Sequence, residues 1–174
     1  MDAASYSARE ALRDGTSVEI RALRPSDRAQ MEEALGRMST ESLVYRFFAP
    51  RSGFSEEEAR RFLDIDFVRH VALVAVLDSE GQHRIVGGAR YIVLAPGRAE
   101  MACAVEDRHQ ARGLGTLLLQ HLAVLARAGG VREVIADVMP DNGPMQKLLG
   151  AAPVSVDRER EPGALHYTLH LDPP

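Results

Sequence analysis

Hydrophobic and polar positions change their period several times along the chain, and each change marks an element. Val18-Glu19-Ile20-Arg21-Ala22-Leu23 alternates with period two and then meets Pro25, which predicts a strand closed by a turn. A helix follows, capped by Ser26 or Asp27, with Met31, Leu35 and Met38 as an apolar stripe at three- and four-residue spacing. Residues 39–50 break that periodicity and hold Tyr45, Phe47 and Phe48, a cluster expected to line a pocket wall or plug the core. Ser55 followed by Glu56-Glu57-Glu58 starts another helix, running to about Leu63, with a capping hydroxyl and acidic side chains at the positive end of the dipole.

Strands are predicted at 71–77, 85–94 and 99–105, and the short turns between them argue for an antiparallel meander. From Leu114 the period becomes 3.6: Leu114, Leu117, Leu118, Leu122 and Leu125 share one face, and Gly129-Gly130 marks the stop. A strand at 134–138, a short helix at about 144–149 and a last strand follow, in which Leu165, Tyr167, Leu169 and Leu171 alternate with polar residues. The order is β-α-α-β-β-β-α-β-α-β, with room for one or two more short strands.

Length and charge narrow the function classes. The 174 residues suit one domain at 17–174 after a flexible tail at 1–16. Lys plus Arg number 21 against 25 Asp plus Glu, and a net charge of -4 gives no broad basic surface, which argues against nucleic acid as partner. Arg9, Glu10, Arg13 and Asp14 sit in the first segment without an apolar block, so neither a signal peptide nor a membrane anchor is expected there, and no run approaches the roughly 18 apolar residues of a spanning helix. The single cysteine, Cys103, excludes an intrachain disulfide and a multi-cysteine zinc site, reads as a core thiol, and fits a reducing cytoplasm. His166 and His170 share the face of the last strand opposite its apolar residues, where exposure is expected, and His109 and His121 lack partners at ligand spacing; no metal is expected.

The chemistry concentrates in Glu106-Asp107-Arg108-His109-Gln110-Ala111-Arg112-Gly113-Leu114-Gly115-Thr116, which joins a strand to the main helix. Backbone N–H groups at a helix start lack intrahelical partners, and glycine lets them approach a pyrophosphate closely. A Rossmann fingerprint needs a third glycine where Leu118 stands, and a P-loop needs Gly-Lys-Ser/Thr, so nicotinamide and ATP readings both weaken.

Gln110-x-x-Gly113-x-Gly115 resembles the Gln/Arg-x-x-Gly-x-Gly/Ala motif of the GCN5-related N-acetyltransferases (GNAT), and the likeness extends over most of residues 17–171. Leu23-Arg24-Pro25-Ser26-Asp27, Ser42-Leu43-Val44-Tyr45-Arg46-Phe47-Phe48 and Glu100-Met101-Ala102 look like the acetyltransferase domain of bacterial protein-lysine acetyltransferases. The resemblance implies an α+β (α/β) fold: a mixed, mostly antiparallel sheet of about six to seven strands flanked by about four helices and splayed between the family's fourth and fifth strands. It implies acetyl-CoA as cosubstrate, an amine as acceptor and a monomer or homodimer. The amides of about Arg112 to Thr116 (Arg112, Gly113, Leu114, Gly115, Thr116) would hold the CoA pyrophosphate, with Gln110 and Ala111 also in the cofactor site. Backbone groups of Ala104 and Val105, together with Asn142 and Met145, would meet the pantetheine arm; helix capping by Asn142 explains that residue equally well.

Amine attack needs proton removal, because free lysine has a pKa of about 10.4. Glu100 enters an otherwise apolar strand, where desolvation would raise its pKa, and it matches the general-base glutamate of the lysine-acetylating relatives; Glu106 is the second choice. Many members also carry a tyrosine in the helix after the asparagine, to protonate the leaving thiolate. That helix here holds Met145, Gln146 and Lys147 instead, which leaves the acid unassigned. The leading acceptor is a protein lysine; a small amine of aminoglycoside or polyamine type, and a non-catalytic acyl-CoA-binding module, are the alternatives.

Overall fold

The first strand lies where the sequence offers no alternation. In the computed structural model, which describes residues 2–51, 53–79 and 82–171, β1 (Ser7–Ala11) pairs antiparallel with β2 (Ser17–Ala22). The flexible tail expected at 1–16 is thereby corrected. Ser-Ala-Arg-Glu-Ala carries no large apolar side chain, so its pairing is specified by the β2 ladder and by Leu12, which is only 4% exposed, rather than by a pattern of its own.

Helices α1 (Arg28–Gly36), α2 (Thr40–Phe47) and α3 (Glu56–Leu63) follow. Helix α2 occupies the stretch whose broken periodicity predicted none. It is set by its ends: the Ser39 hydroxyl accepts from the Ser42 amide at 3.1 Å, and Phe48 stops the helix in the left-handed region at φ +58°. Asp27 does not cap α1 with its side chain. Its carboxylate accepts from both terminal nitrogens of Arg21 at 2.7 and 2.8 Å and from the Arg24 amide at 2.8 Å. Burial works to raise the Asp27 pKa, but these hydrogen bonds outweigh it and hold the group below its ordinary range.

The remaining elements are β3 (His70–Ser79), β4 (Gln82–Ala95), β5 (Arg98–Val105), α4 (Leu114–Ala128), β6 (Glu133–Val138), α5 (Gly143–Gly150), β7 (Ser155–Glu161) and β8 (Ala164–His170). They form one mixed sheet of eight strands in the order β1-β2-β3-β4-β5-β6-β8-β7, parallel only between β5 and β6. The strands beyond the six of the sequence pattern are β1 and β7, both at sheet edges. Charged β7, Ser-Val-Asp-Arg-Glu-Arg-Glu, is the composition that keeps an edge from pairing with another chain.

Two apolar layers fix the sheet. On one face Leu114, Leu118, Leu122 and Leu125 of α4 pack with Ile20, Leu73, Tyr91 and Met101. On the other, Leu23, Val74, Val76 and Ile85 are covered by Met31 and Ala34 of α1 and Leu63 of α3. Among the described residues no helix is long and apolar enough to cross a membrane.

Candidate active site

Strands β5 and β6 stay together only briefly. Their register covers Arg98–Glu133, Ala99–Val134 and Glu100–Ile135, and then the ladder ends. Beyond Glu100 the two strands diverge, so the β6-facing edge of β5 from Met101 to Val105 has no strand partner, while β6 continues against β8 and β5 against β4. This is the splay that the family resemblance implies, and Glu100 is the last paired residue at its fork.

The turn after β5 fills the far end of the opening. A short 3-10 turn (Asp107–His109) leads to Gln110, then Ala111 at φ +59° and Gly113 at φ +90°, and α4 begins at Leu114. Among the described residues the amide hydrogens of residues 112–116 meet no protein acceptor; Leu117 is the first to bond back, to the Gly113 carbonyl at 3.1 Å. A helix start with unpaired amides and the positive end of its dipole is an anion site in waiting. A Cβ on Gly115 would stand 3.1 Å from Leu148 Cδ2, so the missing side chain is what lets the start of α4 approach α5.

Side chains in this turn do less than their charges suggest. Arg112 ion-pairs with Asp14 and donates to Thr16 Oγ1 at 2.9 Å, and its Nη1 lies 2.9 Å from His109 Nδ1. Hydrogen bonds from Thr16 and then from Arg112 hold the Asp14 carboxyl down to about 2. The guanidinium thus ties the N-terminal hairpin to the turn, and the Arg13 side chain lies about 3.5 Å from where a Gly113 Cβ would sit. Gln110 turns inward: its Nε2 donates to the Val105 carbonyl at 3.0 Å and to Ser42 Oγ at 3.3 Å. Ser39 and Ser42 of the α2 start also bond Asp107, so the glycine turn and α2 form one polar unit.

The two candidate carboxylates part company. Glu106 is 2% exposed, accepts from Arg37 Nε at 3.0 Å and faces Arg84 Nη2 at 3.6 Å, the mark of a structural ion pair. Glu100 is exposed at the fork, so the desolvation expected of it is absent; its outward alternation with buried Ala99 and Met101 keeps it in water. Cys103 is buried in the α4-side core, where desolvation pushes its thiol up to about 12.

Asn142 is buried and caps α5, its Oδ1 accepting from the Met145 amide at 3.1 Å. Met145 itself is half-buried against the main core. Next to this cap stands a residue the sequence did not single out as a proton donor: the Tyr45 hydroxyl of α2 reaches the Asp141 carbonyl and Glu41 Oε1, each at 3.1 Å. Desolvation, and then the Glu41 bond, raise its pKa, so it keeps its proton at neutrality. No local signal could have found it, because Tyr45 and Asp141 are 96 residues apart. His166 and His170 are half-buried and bond Asp137 and Asp157 at 2.7 and 2.8 Å, where exposure had been expected.

Comparison with known proteins agrees with this geometry. Residues 40–151 match the family model of the Acetyltransferase (GNAT) family. Acetyltransferase PA5475 of Pseudomonas aeruginosa is 32% identical over 162 residues, covering 92% of this chain and 86% of the relative. The solved GNAT domain of S. lividans PAT superposes with a TM-score of 0.86 at 33% identity, covering 95% of this chain and 97% of that one. At 18% identity and a TM-score of 0.68, covering 89% and 94%, the Salmonella typhimurium acetyltransferase yncA, solved with its cofactor acetyl-CoA, shares the fold. A strand fork, a glycine turn with free amides and a family model over the segment that contains both lead to one conclusion: this chain belongs to the GNAT family of acetyltransferases.

Proposed function

We propose that the chain, with β1 as part of its sheet, acts as one cytoplasmic N-acetyltransferase domain that moves an acetyl group from acetyl-CoA to a protein lysine, with Glu100 as general base. The observation that carries this reading is the place of Glu100, the last β5 residue paired to β6, where the strand edge opens. The likeness to the S. lividans PAT domain supports the lysine acceptor.

The chain's own groups fit the cosubstrate. Free amides of residues 112–116 suit a pyrophosphate, with Gly113 holding the turn at φ +90° and Gly115 letting the helix start pack closely on Leu148. The unpaired edge at Ala104 and Val105, with Asn142 and Met145 across the opening, suits the two amides of a pantetheine arm; Gln110 must then share or release the Val105 carbonyl. Acetyl-CoA, when bound, supplies the activated thioester carbonyl. Glu100 takes the ammonium proton, directly or through one water, and its exposure lets the proton pass on to solvent. The protonated Tyr45 hydroxyl, held at the α5 cap, takes the place of the tyrosine missing from α5 as donor to the leaving thiolate.

Steady-state thiol release by the Glu100→Gln variant tests the reading. A general base of this kind contributes on the order of 100-fold, so kcat should fall by about that factor with CoA affinity intact. A non-catalytic acyl-CoA-binding module instead predicts no acceptor-dependent thiol release in the unmodified protein.

A further inference from the structure

Many arginines of the described residues have found carboxylates, among them Arg21 with Asp27, Arg28 with Glu32 and Glu56, Arg37 and Arg84 with Glu106, Arg51 with Glu58, Arg61 with Glu57 and Arg112 with Asp14. Two half-buried ones in the middle of the molecule have not. Arg46 of α2 stacks on Phe47, 4.7 Å from its ring centre, and among the described residues makes no hydrogen bond or ion pair. Arg90 of β4 lies 3.3 Å from the Phe62 ring centre and donates to the Phe62 carbonyl at 3.0 Å, with His70 Nε2 at 3.2 Å, again without a carboxylate among the described residues.

Arg46 and Arg90 both line a cavity of roughly 70 Å³ between α1–α3 and the sheet, together with Phe47, Phe62, Gly88 and Ala102. An aromatic face attracts a cation but cannot accept the five N–H donors of a guanidinium. Desolvation, and then the neighbouring Arg46 charge, push Arg90 down to about 9, and desolvation lowers Arg46 as well. The cavity's own carboxylate, Glu106, is already held by Arg37. Glu100 attracts Arg46 without pairing to it.

The geometry points to a carboxylate-binding site at Arg46 and Arg90 that selects amine acceptors carrying an acidic group beside the amine. Arg90 lies opposite Ala102 in the β4–β5 register, and Ala102 is two residues from Glu100 on the same strand face. That spacing is roughly 7 Å, so an acceptor with its amine at Glu100 brings a neighbouring carboxylate within reach of both guanidiniums. An acidic residue flanking a lysine, or the carboxylate of a free amino acid, supplies the same chemistry. The choice of acceptor rests on the acetyl-transfer reading above; the anion site itself does not.

Acceptor pairs that differ only in the carboxylate test it: lysine peptides flanked by Glu or by Gln, and free amino acids or their amides. Each is titrated calorimetrically into CoA-bound protein and assayed for thiol release. Charge-assisted hydrogen bonds of this kind predict that the carboxylate member binds about 10- to 100-fold more tightly, with KM following. Arg46→Gln and Arg90→Gln should erase the preference, and Arg46→Lys should keep part of it. Which pair shows the effect identifies the source of the carboxylate. Equal binding within both pairs overturns the site, as does a preference that survives both Gln variants. Carboxylate-dependent binding without turnover upholds the site and sinks the acetyl-transfer reading instead.

Discussion

The two sides of the β5–β6 fork are built from different materials. On the side we propose for the cosubstrate the parts are backbone: a strand edge without a partner, five amides that meet no acceptor among the described residues, and glycines that let the turn take φ +90° and let α4 start close against α5. On the side we propose for the acceptor they are side chains from separate elements, with Tyr45 and Arg46 from α2, Arg90 from β4, Glu100 from β5 and Glu106 held by Arg37. A backbone site binds whatever carries the same pyrophosphate and amides; a side-chain site can be rebuilt for a new acceptor without disturbing it. Substitutions should therefore act differently on the two sides.

The largest effect should fall on the acceptor-side frame. Arg37→Ala leaves Glu106 buried at 2% exposure with only Arg84 at 3.6 Å, and Glu106 Oε1 already lacks a hydrogen bond. Removing one partner of such a pair costs about 3 kcal/mol, which in a protein of this size lowers Tm by roughly 10 °C in a thermal melt. Glu100→Gln should leave Tm unchanged while kcat falls about 100-fold, equivalent to ~2.7 kcal/mol. If both variants lost stability together, Glu100 would belong to the frame and not to the chemistry.

These contrasts also explain what the sequence disclosed. The leucine stripe of α4 and the alternation of β2 were legible because burial of one face imposes a period, and the glycine turn was legible because few residues tolerate φ near +90°. β1 and β7 were not, since edge strands are held by ladder hydrogen bonds and need no apolar alternation. Helix α2 was hidden because its stability lies in the Ser39 cap and in bonds from Ser39 and Ser42 to Asp107, more than 60 residues away. For the same reason the glycine turn could be located from the chain, whereas the contacts of Tyr45 with Asp141 and of Arg90 with Phe62, distant in sequence, could not.

A smaller effect should follow on the donor side, where only conformation matters. Gly113→Ala places a Cβ at φ +90°, a region that costs an L-residue roughly 1–2 kcal/mol, while the Cβ itself meets the Arg13 side chain at an ordinary contact distance of 3.5 Å. Relaxing the turn misaims the free amides, so Kd for CoA should rise about 10-fold in a calorimetric titration with kcat at saturation little changed. An unchanged Kd would mean that the amides of residues 112–116 do not carry the affinity.

The smallest effect is the sharpest test of a backbone-built donor site. Gln110 belongs to the family motif, yet its Nε2 donates to the Val105 carbonyl at 3.0 Å and to Ser42, so in this state it occupies one of the very acceptors that a pantetheine amide would use. If the strand edge carries recognition, Gln110→Ala exchanges one hydrogen bond for another of similar strength and frees the carbonyl in advance. Net contributions of single neutral hydrogen bonds are about 1 kcal/mol, and the lost bond within the protein offsets the gained access, so Kd for CoA should move less than threefold. A rise of 30-fold or more would show that the Gln110 side chain holds the cosubstrate itself, and the division between a backbone donor side and a side-chain acceptor side would fail at its most exposed point.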